Sequence, residues 1–138
     1  CLAMGADAFV PFGDSEIGEV IEAIGGSPDI VYECVGAEGM LAKAVMHAKQ
    51  YGEIVSLGFC TRPDPVMPAL ASYKCVSMKF LVGYTMRDFL YIADQFDGGQ
   101  VDPKAIISSE VALAALPATM DLLRGPNSET KVHVCMGG

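Results

Sequence analysis

The stretch that decides the fold is a run of eight residues with little polar character, Asp29-Ile30-Val31-Tyr32-Glu33-Cys34-Val35-Gly36. β-Branched and aromatic side chains dominate the run, and they favour an extended strand. A near-continuous apolar run is typical of a strand buried on both faces, as in a parallel sheet covered by helices. We therefore predict a central parallel β-strand here.

The segments on either side of this run alternate between helical and extended patterns. Residues 41–48 carry an apolar stripe at helical spacing, and residues 54–59 form a second buried-strand run after Gly52. Upstream, residues 17–24 carry another helical stripe, and residues 8–10 read as a short strand that Pro11 ends. This order predicts an α/β fold of βαβ units with right-handed crossovers and a parallel sheet.

The rest of the chain continues the alternation with less regularity. The predicted elements are, in chain order, a proline-rich loop at 60–73, a strand within 78–83, a helix at 86–96 that Gly98-Gly99 closes, an extended stretch at 101–111, a helix from Pro117 to Gly125 that packs Met120 and Leu123 inward, and a final strand at 131–134.

Composition and charge exclude several classes of partner. The chain of 138 residues carries nine Lys and Arg against seventeen Asp and Glu, which gives a net charge of −8. Nucleic acids and anionic membranes require clustered cations, whereas the cations here are scattered from Lys43 to Lys131. No apolar run reaches the roughly 18 residues that span a bilayer, and no secretory signal is recognisable. We expect neither a nucleic-acid nor a membrane partner.

The cysteines indicate a reducing compartment. They are odd in number and include no CxxC pair, and the two histidines lie far apart in the sequence. Buried free thiols in a reducing cytoplasm are therefore expected, with no metal site in this chain. The five cysteines are Cys1, Cys34, Cys60, Cys75 and Cys135.

Two glycines stand at or near the carboxyl ends of the predicted strands. Gly36 and Gly58 occur in consecutive βα units, and ligands of open α/β sheets bind in the crevice outside these strand ends. Each glycine alone is explained by a turn, but the pair favours a ligand crevice. The turn at residues 36–39 lacks the spacing of a phosphate-binding loop, and Glu38 would repel a phosphate. We interpret it as an ordinary turn.

The polar residues leave one question open. Glu33 lies inside a buried strand, where it could orient a ligand or accept hydrogen bonds from backbone amides. We expect His47 and His133 to be solvated and the other acids, Asp121 and Glu129 among them, to lie on the surface. No residue of the chain is predicted to be catalytic.

Four segments resemble a known family in their order and spacing: Met4–Asp7, Pro28–Gly36, Gly52–Gly58 and Thr130–Val132. Together they resemble the medium-chain dehydrogenase/reductase family, whose largest branch is the zinc-dependent alcohol dehydrogenases. The chain opens on Cys1 in what reads as the last turn of a helix ending at Gly5. We therefore expect a C-terminal part of a longer polypeptide.

The resemblance implies a three-layer, Rossmann-like parallel sheet with strand order 3-2-1-4-5-6, of which the first two strands are missing. Residues 8–10, 29–35, 54–57 and 78–82 would be the third to sixth strands. Residues 1–99 would be the C-terminal portion of the nucleotide-binding domain, and residues 100–138 a tail that returns to the catalytic domain.

The resemblance also implies a set of residues that bind NAD or NADP. Three groups would contact the nicotinamide and its ribose at the strand ends, partly through backbone groups, and one basic residue would approach the pyrophosphate. The strand-end residues are Cys34, Val35 and Gly36, then Leu57, Gly58 and Phe59, then Leu81 and Val82; the basic residue is Lys131.

The activity that the resemblance implies is hydride transfer between a nicotinamide cofactor and a small alcohol or its carbonyl compound. The family's zinc ligands, its GxGxxG turn and its ribose-binding acid are absent from this chain. Zinc would therefore belong to the full-length protein and not to this segment, which we expect to be inactive alone. The resemblance implies a cytoplasmic homodimer or homotetramer joined through the sixth strands. Alternatives are a zinc-free quinone or enoyl reductase of the same family, and a stand-alone α/β binding module.

Overall fold

The computed structural model of the chain describes residues 1–13 and 16–136. It divides into two compact units, Cys1–Tyr84 and Thr85–Gly138. The assignment of residues 1–99 to a nucleotide-binding domain and 100–138 to a returning tail stays a prediction.

The first unit is an α/β unit with a parallel sheet, as predicted. After a 3-10 turn at Leu2–Met4, its elements are α1 (Glu16–Ile24), β1 (Ile30–Glu33), α2 (Met40–His47), β2 (Glu53–Ser56), α3 (Pro68–Lys74) and β3 (Ser77–Phe80). The three strands pair in the order β1-β2-β3, and both pairings are parallel. This is the order expected for the fourth, fifth and sixth strands of a Rossmann-like sheet. From the sequence, Asp14 or Ser15 is predicted to accept from the first N–H groups of α1; both residues lie outside the described ones.

The core of this unit lies between α2 and the middle strand. Ala44, Val45 and Ala48 occupy the predicted helical stripe and are buried against Ile54 of β2. Val45 and Ile54 are the largest fully buried side chains. Burial of a complete Val or Ile side chain stabilises a fold by roughly 1.5–3 kcal/mol. The apolar periodicity of residues 41–48 thus identified the helix face that holds the sheet.

Two side chains from the segment after β2 close the ends of α2. Asp64 accepts hydrogen bonds from the N–H groups of Gly39 (2.6 Å) and Leu41 (3.1 Å) at its N-terminus. The Lys74 ammonium donates to the carbonyl oxygens of Val45, Met46 and Ala48 at 2.9, 2.6 and 2.7 Å at its C-terminus. Negative charge at the N-terminus and positive charge at the C-terminus both interact favourably with the helix dipole. We call this pair of residues the α2 clamp.

Three expectations for the first unit are wrong. Residues 8–10 form no strand, because no strand of the described chain pairs with them. Ile30 and Tyr32 of β1 are 46% and 62% exposed instead of buried, because they alternate with Val31, which packs on the α2 core, and so lie on the opposite face of the sheet. The proline-rich loop contains α3, since Pro68 occupies the first turn of that helix, where a missing N–H is harmless.

The second unit contains two helices and a two-stranded sheet. Its elements are α4 (Met86–Asp97), a 3-10 turn at Pro103–Ile106, β4 (Ser109–Ala112), a 3-10 turn at Leu113–Ala115, α5 (Leu116–Leu123) and β5 (Val132–Cys135). β4 and β5 pair in parallel. Thr85 and Asp88 form a capping box at the start of α4, and Gly98 ends that helix. The predicted helices and final strand are confirmed.

Two expectations for the second unit are wrong. The stretch at 101–111 is not uniformly extended, because Pro103 starts a 3-10 turn that Asp102 caps through the N–H of Lys104. Met120 and Leu123 of α5 are exposed, Met120 by 51%, since no buried core forms in the described part of this unit. Among the described residues, no helix has the length and apolar character needed to cross a membrane.

Candidate functional site

The predicted strand-end residues converge at one edge of the three-stranded sheet. The parallel register places Glu33, Ser56 and Phe80, the last residues of the three strands, side by side. The segments 34–36, 57–59 and 81–82 therefore leave the sheet at the same edge, which we call the carboxyl edge. Eight of the nine predicted cofactor residues lie on these segments. Lys131 lies in the second unit, and its role stays a prediction.

Gly36 and Gly58 touch each other across this edge. A Cβ atom on Gly36 would lie 2.5 Å from the Phe59 nitrogen, and one on Gly58 would lie 2.2 Å from the Gly36 nitrogen. Gly36 also has a φ of +66°, which favours glycine. The two segments cross so closely that neither position accommodates a side chain. Close backbone crossing, and not only space for a ligand, explains both glycines.

Glu33 joins the segments that leave β1 and β2. Its side-chain Oε1 accepts hydrogen bonds from the N–H groups of Val35 and Gly36, both at 2.7 Å. Its Oε2 accepts one from the Ser56 hydroxyl at 3.1 Å. The Glu33 residue is only 7% exposed. Of the two interpretations that the sequence left open, the structure shows hydrogen bonding to backbone amides.

The backbone of Glu33 extends the same network. Its carbonyl oxygen accepts from the N–H groups of Leu57 (2.8 Å) and Gly58 (2.9 Å). The Leu81 N–H donates to the Ser56 carbonyl oxygen at 3.0 Å. These amides of the carboxyl edge are therefore already engaged within the protein. In contrast, the N–H groups of Phe59 and Val82 have no partner within the described chain.

Apolar side chains line the open part of the carboxyl edge. Val35, Phe59 and Val82 are 70%, 74% and 79% exposed. A cavity of about 240 Å³ opens between the ends of β2 and β3, lined by Ser56, Gly58, Phe59, Cys60, Phe80, Leu81 and Val82. A flat apolar ring with a polar substituent matches such a surface, because the two unpaired amides can fix the orientation of an acceptor oxygen.

The N-terminus of α2 is not available to an anion. Helix N-termini bind phosphates through free N–H groups, but the Asp64 carboxylate already accepts from two of them here. The interpretation of residues 36–39 as an ordinary turn agrees with this arrangement. No signal in the sequence linked Asp64 to a helix that begins more than twenty residues earlier.

A charged cluster joins α1 and α2, and its residues lie outside the segments of the carboxyl edge. The Glu16 carboxylate accepts from the Lys43 ammonium at 2.8 Å and lies 3.5 Å from His47 Nε2. Lys43 and the N–H of Gly13 lower the pKa of Glu16. His47 is half-buried against Glu16, so the expectation that it is solvated is wrong. His133 is exposed as expected.

Of the two acids that were expected on the surface, one is exposed and the other is not. Asp121 is exposed as expected, whereas Glu129 is partly buried and accepts from the hydroxyl groups of Ser108 and Ser109.

In residues 1–13 and 16–136, no group of three or more His, Cys, Asp or Glu side chains could hold a metal ion. The five cysteines are free thiols, but four of them are exposed and Cys60 is only partly buried, so the expectation that they are buried is wrong. The described residues therefore do not fit a zinc site.

Comparisons with known proteins agree with this architecture. A short chain alcohol dehydrogenase (rspB) from Escherichia coli CFT073, solved with NADH, superposes with a TM-score of 0.79 at 20% identity, over 94% of this chain and 38% of that one. The 2R,3R-butanediol dehydrogenase from Bacillus subtilis gives 0.77 at 21% identity, over 91% of this chain and 36% of that one. The reductase CinF, solved with NADP and 2-octenoyl-CoA, gives 0.73 at 22% identity, over 86% and 26%.

These identities establish the fold, and the chain spans little more than a third of the length of the first two structures. A search of curated proteins finds no match. The family model described as zinc-binding dehydrogenase matches residues 1–96, which is most of the chain. The chain therefore belongs to the zinc-binding dehydrogenase family.

Proposed function

We propose that this chain supplies the nicotinamide side of the cofactor site in an NAD- or NADP-dependent oxidoreductase that interconverts an alcohol and its carbonyl compound. The observation that carries the proposal is the carboxyl edge, where the unpaired N–H groups of Phe59 and Val82 adjoin exposed apolar side chains. The similar structures from E. coli and of CinF, which contain NADH and NADP, support a nicotinamide cofactor.

The residues of this chain would bind and orient the nicotinamide, whose C4 atom accepts or donates the hydride when the cofactor is bound. A carboxamide carries one acceptor oxygen and one amide donor. The N–H groups of Phe59 and Val82 can donate to that oxygen, and the Gly58 carbonyl oxygen, which accepts no hydrogen bond among the described residues, can accept from the NH₂ group. Val35 would cover a face of the ring and exclude water from it.

The chain matches only this half of a dinucleotide. The Asp64 carboxylate occupies the one helix N-terminus that follows β1, and the sequence contains no GxGxxG turn for the pyrophosphate. Each missing charge-assisted contact weakens binding by roughly 1.5–3 kcal/mol. We therefore propose that the isolated chain binds NAD and NADP weakly or not at all and has no dehydrogenase activity. Lys131 remains a proposed pyrophosphate contact.

A matched pair of nucleosides tests this assignment. We expect nicotinamide riboside to bind at about 1 mM, the scale of a binding free energy near 4 kcal/mol, and adenosine not to bind. Titrations followed by NMR should move the amide signals of Phe59 and Val82. Val35→Trp should abolish the binding by filling the surface, whereas Tyr73→Trp, at an exposed position of α3, should not. Equal binding of both nucleosides would contradict the proposal.

A reductase of a double bond is the second candidate function. It is favoured by one observation, the similarity to CinF, which is a 2-octenoyl-CoA carboxylase reductase. The nicotinamide side of the site would serve a zinc-free quinone or enoyl reductase equally well. Assays of the longer protein with an alcohol and with an enoyl thioester distinguish the two. A binding module without catalysis would show neither activity.

Self-association through β3 is a further part of the proposal. β3 is an edge strand of the three-stranded sheet, and Phe80 and Leu81 at its end are exposed. Exposed apolar edges pair readily with a second chain. We propose a homodimer, or a homotetramer built from it, joined at these strands. Sedimentation should show concentration-dependent dimers that Met78→Pro dissociates, because proline removes an N–H of the edge strand.

A further inference from the structure

We propose that Glu33 is a positioning residue that holds the carboxyl edge in the shape that receives the nicotinamide; this inference rests on the proposed function. Glu33 is buried at the end of β1 and does not line the cavity between β2 and β3, although it lines a smaller one of about 170 Å³ beside it. Its side chain and its carbonyl oxygen together accept five hydrogen bonds, from Val35, Gly36, Leu57, Gly58 and Ser56. These donors lie on both of the segments that cross at the glycines.

Hydrogen bonds and close backbone packing, and not helix or strand structure, hold the segments that cross at the glycines. Residues 34–39 and 57–60 belong to no helix or strand. Loops of this kind are mobile unless hydrogen bonds or packing fix them. A Glu33 carboxylate that accepts from two successive N–H groups at 2.7 Å turns the chain sharply after β1 and orients Val35 outward. Short hydrogen bonds to an ionised acceptor are stronger than hydrogen bonds between neutral groups.

The crossing of the two segments leaves no room for either backbone to shift. The Gly36 nitrogen lies so close to Gly58 that a Cβ on Gly58 would meet it at 2.2 Å and would meet Glu33 Oε2 at 2.6 Å. A shift of the 34–36 segment therefore displaces the segment that carries the Phe59 N–H. Because the Glu33 side chain holds the 34–36 segment and joins it to Ser56 of β2, its loss would misplace Val35 relative to the Phe59 donor. Such misplacement weakens binding without removing any ligand contact.

Three variants separate positioning from general stability. Glu33→Ala removes both side-chain oxygens, and Glu33→Gln keeps the shape and one acceptor oxygen. Glu53→Ala is the matched control, because Glu53 is an acid of the neighbouring strand that pairs with Lys79 at 2.5 Å near the amino end. Each is titrated with nicotinamide riboside by NMR, and hydrogen exchange is measured at the Val35 and Gly36 amides.

We expect Glu33→Ala to weaken the binding of nicotinamide riboside about tenfold, the scale of one lost charge-assisted hydrogen bond, and to accelerate exchange at Val35 and Gly36. Glu33→Gln should restore most of the affinity, and Glu53→Ala should bind as the original chain does. Unchanged affinity in Glu33→Ala, with its two amides released, would overturn the positioning role. So would equal weakening by Glu33→Ala and Glu53→Ala.

Should Glu33→Ala fail to fold, Glu33→Gln carries the test. Its uncharged oxygen weakens both bonds, so exchange at the two amides should quicken and affinity should fall by about threefold, a fraction of a full hydrogen bond. Faster exchange with unchanged affinity would again overturn the role of Glu33. Failure of the original chain to bind nicotinamide riboside is a different result, because it overturns the proposed function and the role of Glu33 with it.

Discussion

The two parallel sheets of this chain differ in how they are covered. The three-stranded sheet of the first unit holds α2 against β2 and buries Ile54 completely. The two-stranded sheet of the second unit, β4 and β5, has no buried residue in the part of the chain that the structure describes. Parallel sheets are normally covered on both faces, and isolated strand pairs are marginal in water. Pairing alone therefore does not make a stable sheet; the helix that covers it does.

Truncation of one isoleucine in each unit tests this contrast most strongly. Ile54→Ala should cost about 2–5 kcal/mol, because it leaves a cavity in the core that the described residues of the first unit form. Ile107→Ala, at a half-exposed position before β4, should cost less than about 1.5 kcal/mol, because little apolar area is lost. Urea unfolding followed by circular dichroism measures both. Equal costs would show that the second unit has a core of its own.

Removal of one residue of the α2 clamp sharpens the comparison within the first unit. Lys74→Met leaves three carbonyl oxygens at the end of α2 without their donor, so it should cost about 1–3 kcal/mol. Lys49→Met is the control, because Lys49 forms an exposed ion pair with Asp29 that should contribute at most about 1 kcal/mol. The same unfolding measurement applies. A Lys49 variant as unstable as the Lys74 variant would refute the clamp.

The capping box of α4 should have a smaller and more local effect. Asp88→Ala removes the acceptor of the Thr85 N–H and hydroxyl groups, at 2.8 and 2.7 Å, and should cost about 1 kcal/mol. Hydrogen exchange should quicken in the first turn of α4 and stay unchanged in β2. Asp94→Ala, in the middle of the same helix, is the control. Exchange that quickened in both units would mean that they unfold together.

Acid should destabilise the first unit through Glu16. Lys43 holds the pKa of Glu16 below its ordinary value of 4.5, so the folded state binds fewer protons than the unfolded state. The stabilisation is present above pH 4.5 and is lost as the pH falls through the lowered pKa. Glu16→Gln should flatten this part of the stability profile. An unchanged acid limb in that variant would assign the effect to other carboxylates.

The sequence predicted the elements that depend on local periodicity. The stripe at 41–48 appears as α2, whose buried face shows that period, and the runs at 29–36 and 54–59 overlap β1 and β2. The stripe at 17–24 appears as α1, although Ile21 and Ile24 on it are exposed. Exposure of Ile30 and Tyr32 was not predictable from the run itself. It depends on which face of the sheet is covered, and the apolar run shows no difference between the two faces of the strand.

The sequence located the carboxyl edge correctly, but it did not show that Gly36 and Gly58 pack against each other there. Strand ends follow from the pattern, and parallel pairing then brings Gly36 and Gly58 to one place. The contact between the two glycines exists only in the folded backbone, and neither sequence segment predicts it alone. The same holds for Asp64 and Lys74, whose partners lie 23 to 29 residues away in the sequence. Long-range polar contacts of this kind leave no periodic trace.

The α2 clamp also sets an order of events during synthesis. Asp64 and Lys74 are added to the chain well after the helix that they close. A helix of eight residues does not persist in water by itself, and β2 covers only one side of it. Nascent α2 therefore remains open at both ends until α3 has left the ribosome. A shorter piece that stops after β2 would contain the helix and its strands and still lack the residues that complete them.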